Sequence, residues 1–146
     1  MDVYVPRKNL GISRSLMPQI KSSKMPDFIK WLKAQGVRVS RAVVPAANLN
    51  ATQKEINNSK VQQLADNPAN LEHLRKPVVV SKDDYLMDGH HRWLALLTQD
   101  PDAMMPIVRV NLKIRDLLAL ADSYKDVERK DLAASIIKIA RELLLG

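Results

Sequence analysis

The fold of this chain is decided by the segment PVVVSKDDYLMDGHHRWLALL, residues 77–97. Apolar runs at 77–81 and 85–88, separated by polar residues, predict two strands joined by a tight turn. The apolar residues that follow predict a helix over 90–99. The DGHHR motif at 88–92 therefore lies where the second strand ends and the helix begins.

The start of this helix is a candidate anion-binding site. The first N–H groups of a helix have no partner within the helix, and the helix dipole is positive at that end. Gly89 allows the backbone to approach a phosphate closely, and the Arg92 guanidinium can hold a phosphate through two parallel hydrogen bonds. Alternatively, Arg92 forms a salt bridge with one of the nearby carboxylates, Asp83, Asp84 or Asp88.

The two histidines of the motif are candidate binding and catalytic residues. His90 and His91 are neighbours, so their side chains diverge in a helix and point to opposite faces of a strand, which disfavours joint binding of one metal ion. We expect one histidine to face the phosphates while the other packs or orients the loop. The alternative is that both histidines are structural.

Asp88 is the candidate metal ligand. Mg²⁺ in proteins usually takes one or two carboxylates together with phosphate oxygens, so a carboxylate beside bound phosphates suits it. Asp88 is also a candidate general base for a hydroxyl nucleophile. The structural alternative is an Asx-turn that shapes the loop.

A second segment, taken together with the motif, resembles a known family. Residues 43–49, VVPAANL, look like the first strand of the ParB/sulfiredoxin superfamily and its V-P-x-x-x-L ending. A helix predicted to open at Thr52–Glu55 follows, as in that family, and the DGHHR motif comes next in the expected order. The resemblance covers residues 41–112. It implies an α/β (α+β) fold, with a small mixed sheet surrounded by helices.

The superfamily includes the N-terminal CTPase domain of ParB, sulfiredoxin, free serine kinases and phage ParB-like nucleases. The resemblance implies that the core binds a nucleoside di- or triphosphate (ATP, ADP or CTP) with Mg²⁺, and hydrolyses it or transfers its phosphoryl group. Sulfiredoxin chemistry is excluded, because it needs a cysteine beside the arginine and the chain has none. The implied nucleotide-binding residues are Thr52, Gln53, Gly89, His90, His91 and Arg92, and the implied catalytic residues are Asp88, His90, His91 and Glu55.

The helix start near Thr52 bears on whether the chain is a kinase. Family kinases that the chain resembles use a carboxylate near this position as catalytic base. Gln53 cannot act as a base. Glu55 can, but Thr52-x-x-Glu55 also fits a capping box, in which Glu55 only accepts a hydrogen bond from the Thr52 backbone. The sequence therefore supports nucleotide binding better than kinase activity.

The net charge of +7 is concentrated in the first 41 residues. That segment has nine basic and two acidic residues, whereas the remainder has 14 of each. A basic arm on a neutral domain indicates contact with a polyanion, nucleic acid above all. The alternative function is therefore that of a DNA-binding or DNA-cleaving phage protein, whose arm contacts are Arg7, Lys8, Arg14, Lys21 and Lys24.

The segments outside the core complete a single domain. Residues 1–40 are predicted to form a basic, mostly loop-like extension with one helix, and residues 113–146 to form helices packed on the same domain. A third functional hypothesis is an inactive interaction module that uses the amphipathic helix near the C-terminus. The further elements predicted from apolar periodicity are helices at 26–35, 52–66, 114–121 and 130–145, a short helical turn at 71–76, and strands at 37–44 and 105–112.

Composition excludes several classes of protein. The chain of 146 residues has no cysteine, so it has no disulfide framework and no thiolate metal site. No apolar stretch is long enough for an export signal or a membrane span. We therefore expect a cytoplasmic protein with no membrane partner, in a bacterial host if it is phage-encoded. The sequence does not indicate an oligomeric state.

Overall fold

The computed structural model describes residues 2–67, 69, 71–124 and 127. Within these residues the chain forms both strands and helices, in agreement with the predicted α/β (α+β) class. The strands are β1 (Asn9–Ile12), β2 (Val39–Pro45), β3 (Ala51–Gln53), β4 (Val78–Ser81), β5 (Leu86–Asp88) and β6 (Met104–Val110). The helices are α1 (Met25–Ala34), α2 (Asn58–Asp66), α3 (Leu71–Leu74), α4 (His90–Gln99) and α5 (Ile114–Asp122).

The main sheet has four strands in the order β2-β6-β4-β5. The outer pairs, β2 with β6 and β4 with β5, are antiparallel, whereas β4 and β6 are parallel. Two parallel strands need a crossover, and α4 supplies it between β5 and β6. The small mixed sheet predicted from the sequence is therefore confirmed.

Side chains on alternate positions of β4 enter two different cores. Val78 and Val80 pack with Trp93 and other apolar residues of α4, and Val79 packs with Phe28 of α1 and with residues of α5. This alternation follows from the two-residue period of a strand. Helices therefore cover both faces of the sheet, and α4 is held with its first turn at the end of β5.

The N-terminal segment is part of the folded domain, which corrects the prediction of a loop-like extension. Strand β1 pairs in parallel with β3 to form a second, two-stranded sheet. Met17 is fully buried and Ile20 is buried, both in the core that also contains Phe28. Sequence patterns missed this because the partner of β1 lies about 40 residues away in the chain.

The predicted capping box at Thr52 is wrong. Thr52 lies in β3, and its backbone is therefore extended rather than helical. Helix α2 begins at Asn58, and the side chain of Asn57 accepts a hydrogen bond from the Lys60 N–H at 3.0 Å. The helix does end at Asp66, as predicted.

The other predicted elements agree with the structure to within a few residues. Helix α4 spans the predicted 90–99, and β4, β5, β6, α1 and α5 lie at their predicted positions. The predicted helix at 130–145 lies outside the described residues. None of the helices in the described part of the chain is long and apolar enough to span a membrane.

Candidate functional site

Gly89 forms the N-cap of α4 and has a φ of 91°. A Cβ added at this position would lie 2.5 Å from Val78 Cγ1 and 3.0 Å from an Arg92 guanidinium nitrogen. Both the positive φ and the close approach to β4 therefore require glycine. Helix α4 has no side-chain N-cap hydrogen bond. The first N–H groups of this ten-residue helix are thus left for another partner.

His90 connects α4 to the small sheet. Its Nε2 accepts hydrogen bonds from the N–H groups of Thr52 at 3.0 Å and Gln53 at 3.3 Å. Its exposed fraction is 4%. Burial, with a smaller contribution from His91, lowers the pKa of His90 to about 3. His90 is therefore neutral at physiological pH, with its proton on Nδ1, and it holds β3 against the start of α4.

His91 makes an equivalent contact with α2. Its Nε2 accepts a hydrogen bond from the N–H of Asn57, the N-cap of α2, at 3.2 Å. Burial, with smaller contributions from the nearby positive charges of Lys60 and Arg14, lowers the pKa of His91 to about 4. Both motif histidines thus use Nε2 to fix backbone, which is the structural alternative that the sequence left open.

Arg92 is anchored to the chain that leads into β4. Its guanidinium donates hydrogen bonds to the carbonyl oxygens of Lys76 at 2.9 Å and Pro77 at 3.4 Å. It also forms an ion pair with Asp88 at 3.8 Å, and 16% of its side chain is exposed. The alternative of a salt bridge to Asp88 is therefore present, whereas Asp84 pairs with Arg109 instead.

Asp88 lies at the end of β5 with 33% of its side chain exposed. Burial raises the pKa of Asp88, while Arg92 and the N–H of Gly89 act in the opposite direction. Burial therefore disfavours the charged form of the carboxylate more than Arg92 and the Gly89 N–H favour it. A carboxylate in that condition can bind a divalent cation or exchange a proton.

Glu55 points away from the motif. Its carboxylate accepts hydrogen bonds from the Arg14 N–H at 2.6 Å and from the Ser13 hydroxyl at 3.5 Å. The backbone contact with Arg14 is the largest of the effects that lower the pKa of Glu55. Glu55 therefore caps the 3₁₀ turn at Arg14–Leu16 rather than a helix that begins at Thr52.

Thr52 and Gln53 meet the motif through their backbone. Both N–H groups bind His90, and the Gln53 side chain donates to the carbonyl oxygen of Glu55 at 2.7 Å. Thr52 is fully buried, and its hydroxyl has no hydrogen-bond partner among the described residues. Gln53, unlike Thr52, also lines a cavity at the first turn of α4.

A cavity of about 250 Å³ opens at the first turn of α4. Cations from three separate segments line it: Arg14 from the N-terminal 3₁₀ turn, Lys60 from α2 and Arg92 from α4. Burial lowers the pKa of His73, which also lines the cavity, and the charges of Arg92, Lys76 and Lys60 lower it further. The remaining lining residues are Gln19, Ser22, Gln53, Leu64, Met87, Asp88, Gly89, His90 and His91.

The structure brings together most, though not all, of the residues predicted from the sequence. The whole DGHHR motif and Gln53 line the cavity, whereas Thr52 and Glu55 do not. Of the basic residues assigned to DNA contact, only Arg14 lines it, while Arg7, Lys8, Lys21 and Lys24 lie elsewhere on the surface. The cavity also contains Lys60 and His73, which lie outside the DGHHR motif and were not assigned to the site from the sequence. No group of three or more potential metal ligands occurs in the described part of the chain.

No family model matches this chain, and no curated protein matches it. Among solved structures, the chain is similar to one described as the structure of the C2221 form of a Pnob8-like ParB-N domain, with a TM-score of 0.46 and 16% identity. The match covers 58% of this chain and 35% of that chain, so this protein spans about a third of the length of the solved one.

Proposed function

We propose that this protein binds a nucleoside di- or triphosphate, with the phosphates seated at the first turn of α4. The observation that carries the proposal is the convergence of Arg14, Lys60 and Arg92 on a helix N-terminus that has no side-chain cap. Unpaired N–H groups and the helix dipole both favour an anion at that position. Arg14, Lys60 and Arg92 outnumber the single carboxylate of the described lining, Asp88, so the cavity keeps a net positive charge that favours phosphate groups.

The residues around the cavity also fit a bound Mg²⁺. Asp88 provides one partly exposed carboxylate, and a phosphate chain would provide the other oxygens that this ion takes in proteins. In such a site Mg²⁺ would neutralise charge on the phosphates. Within the described residues no further carboxylate lines the cavity, so the proposed ion depends on the nucleotide for most of its ligands.

The reaction proposed for this site is hydrolysis or transfer of a phosphoryl group. The chain would contribute by holding the phosphates and stabilising their charge with Arg92, Lys60 and the N–H groups of α4. Asp88 is also the proposed proton acceptor, because burial raises its pKa towards neutral pH. This role is an alternative to binding Mg²⁺, since a bound cation would lower the same pKa. His90 and His91 would act as positioning residues, since their Nε2 atoms are occupied by backbone N–H groups.

Calorimetric titration with ATP, ADP and CTP, with and without Mg²⁺, tests nucleotide binding. Lys60→Ala removes one of the cavity cations from an exposed helix position, and we expect it to weaken binding about fivefold, or ~1 kcal/mol. Lys82→Ala is the matched control, because Lys82 is exposed in the turn between β4 and β5, at the other end of the hairpin from Gly89. Equal affinities of the two variants for the nucleotide would contradict the proposal that the phosphates bind in this cavity.

Catalysis is tested separately by release of inorganic phosphate from the nucleotide that binds. Turnover that requires Mg²⁺ and is lost in Asp88→Asn would support the proposed reaction. Tight nucleotide binding without any turnover would leave the binding proposal standing and remove the enzymatic one.

A further inference from the structure

A basic groove lies on the side of Arg92 away from α2. A cavity of about 570 Å³ shares the residues Ser22, His73, Asp88 and Arg92 with the phosphate cavity. It shares Lys33 and Val39 with a third cavity of about 520 Å³, which reaches Arg109 on β6. The second and third cavities therefore form one depression, which begins beside the first turn of α4 and passes between α1 and β2. We call this depression the basic groove.

The charge of the basic groove is strongly one-sided. Asp88 at its inner end is the only carboxylate that lines it within the described part of the chain. Arg92 and Arg109 are already paired with carboxylates, as described above. No ion pair joins the other basic side chains of the lining to any described residue; they are Lys30, Lys33, Arg38, Arg41 and Lys76.

The floor of the groove is apolar. Met25 and Ile29 of α1 are partly exposed in it, whereas Val79 and Val108 of the sheet also line it but are almost fully buried. Such a floor can be covered by the faces of unpaired bases, whereas a duplex keeps its base faces stacked inside. Cations along a rim can follow a sugar–phosphate backbone. Charge and shape together therefore favour a single strand over a duplex.

We propose that the basic groove binds single-stranded nucleic acid, with its phosphates along Lys30, Lys33, Arg38, Arg41 and Lys76. This assigns polyanion contact to α1, β2 and the start of β4, rather than to the N-terminal residues Arg7 and Lys8. Binding should be sequence-tolerant, because most polar groups of the lining are cations that contact phosphates and few others could read base edges. The proposal does not depend on nucleotide binding at α4.

The test is fluorescence anisotropy of a labelled oligothymidine with the full chain, over a range of salt concentrations. Lys30→Gln/Lys33→Gln removes two groove cations from exposed positions of α1, and Arg7→Gln/Lys8→Gln removes the same charge outside the groove. We expect the groove variant to bind about tenfold more weakly at 0.1 M salt and to lower the logarithmic salt slope by about 1.4, as two lost contacts with a single strand predict. The control variant should bind like the unmodified protein.

Several outcomes would overturn the proposal. A larger loss in the Arg7→Gln/Lys8→Gln variant would place the contact on the N-terminal segment. Tighter binding of a duplex of the same length would remove the single-strand assignment, and tighter binding of poly-glutamate would make the groove a docking surface for acidic protein. No binding of oligothymidine at low salt would also refute it. The affinity of the groove variant for ATP should stay unchanged. A failure of the nucleic-acid proposal can therefore be distinguished from a failure of the proposed nucleotide binding at α4.

Discussion

The first turn of α4 has two sides that differ in burial and in bonding. On one side His90 is 4% exposed, and its Nε2 accepts hydrogen bonds from two N–H groups of β3. On the other side Asp88 has a third of its side chain exposed beside a cavity lined with cations. The difference teaches that one short motif has two structural environments: its histidines fasten the helix to the small sheet and to α2, and its charged residues line the cavity.

The largest expected effect is that of Gly89→Ala, which removes the feature that both sides share. The added Cβ would meet Val78 Cγ1 at 2.5 Å in a backbone conformation that alanine rarely adopts. We expect a loss of roughly 3 to 4 kcal/mol in the free energy of unfolding, from overpacking and backbone strain together. Urea denaturation measures it. A loss below about 1 kcal/mol would show that the turn can relax without cost.

The next effect separates the buried side from the open side. His90→Ala leaves the N–H groups of Thr52 and Gln53 buried without an acceptor, and it leaves a cavity where the ring was. We expect a loss of ~3 kcal/mol. His91→Ala is the matched variant, because the Asn57 N–H that it frees is at an exposed residue that water can reach. Its loss should be about 1 kcal/mol, and equal losses would contradict the comparison.

A smaller effect follows from acid. The pKa of His90 is about 3 in the folded protein, below the ordinary value of 6.5, so the unfolded chain takes up its proton first. The stability that His90 contributes is therefore complete above pH 6.5 and is lost as the pH falls towards 3. We expect the free energy of unfolding to fall by roughly 1.5 to 2 kcal/mol between pH 6.5 and pH 5 through this residue. His90→Gln should make this part of the pH profile shallower but not flat, because His91, whose pKa is about 4, titrates over the same range. An unchanged slope would mean that His90 does not contribute.

The smallest effect concerns the open side. We expect Mg²⁺ to strengthen ATP binding by the unmodified protein about fivefold, or ~1 kcal/mol. Asp88→Asn keeps the size of the side chain and removes its charge, so this effect of Mg²⁺ should be lost in the variant. Calorimetry with and without Mg²⁺ measures the difference. Folding should be little affected, because burial already disfavours the charged carboxylate. A full Mg²⁺ effect in the variant would show that the ion binds without Asp88.

Local patterns predicted the elements that lie next to one another in the chain. The apolar runs at 77–81 and 85–88 and the apolar residues after Gly89 predicted β4, β5 and α4, because a hairpin and the helix that follows it depend on neighbouring residues. The start of α2 was misplaced for the same reason: Thr52-x-x-Glu55 fits a capping box locally. In the structure Thr52 belongs to β3, which pairs with β1, and the Glu55 carboxylate accepts a hydrogen bond from the Arg14 N–H.

The composition of the candidate site was less predictable than its location. The glycine, the helix start and Arg92 marked the place, because all three belong to one segment. Arg14, Lys60 and His73 are brought there by three other segments, and no spacing in the sequence relates them to the motif. His90 and His91 accept hydrogen bonds from different backbone N–H groups, one in β3 and the other at the start of α2. These partners depend on how β3 and α2 pack against α4, which the sequence of the motif does not indicate.

The most direct test of the account is an NMR titration of the ¹⁵N-labelled protein with ATP and Mg²⁺. If the phosphates sit at the first turn of α4, the amide signals of His90, His91 and Arg92 should shift most, because the first N–H groups of a helix have no partner within it. The amides of the β4–β5 turn, residues 82–85, should stay in place. Saturable shifts confined to that turn or to another surface, or no shifts at millimolar ATP, would contradict the proposal that this helix start is a nucleotide-phosphate site.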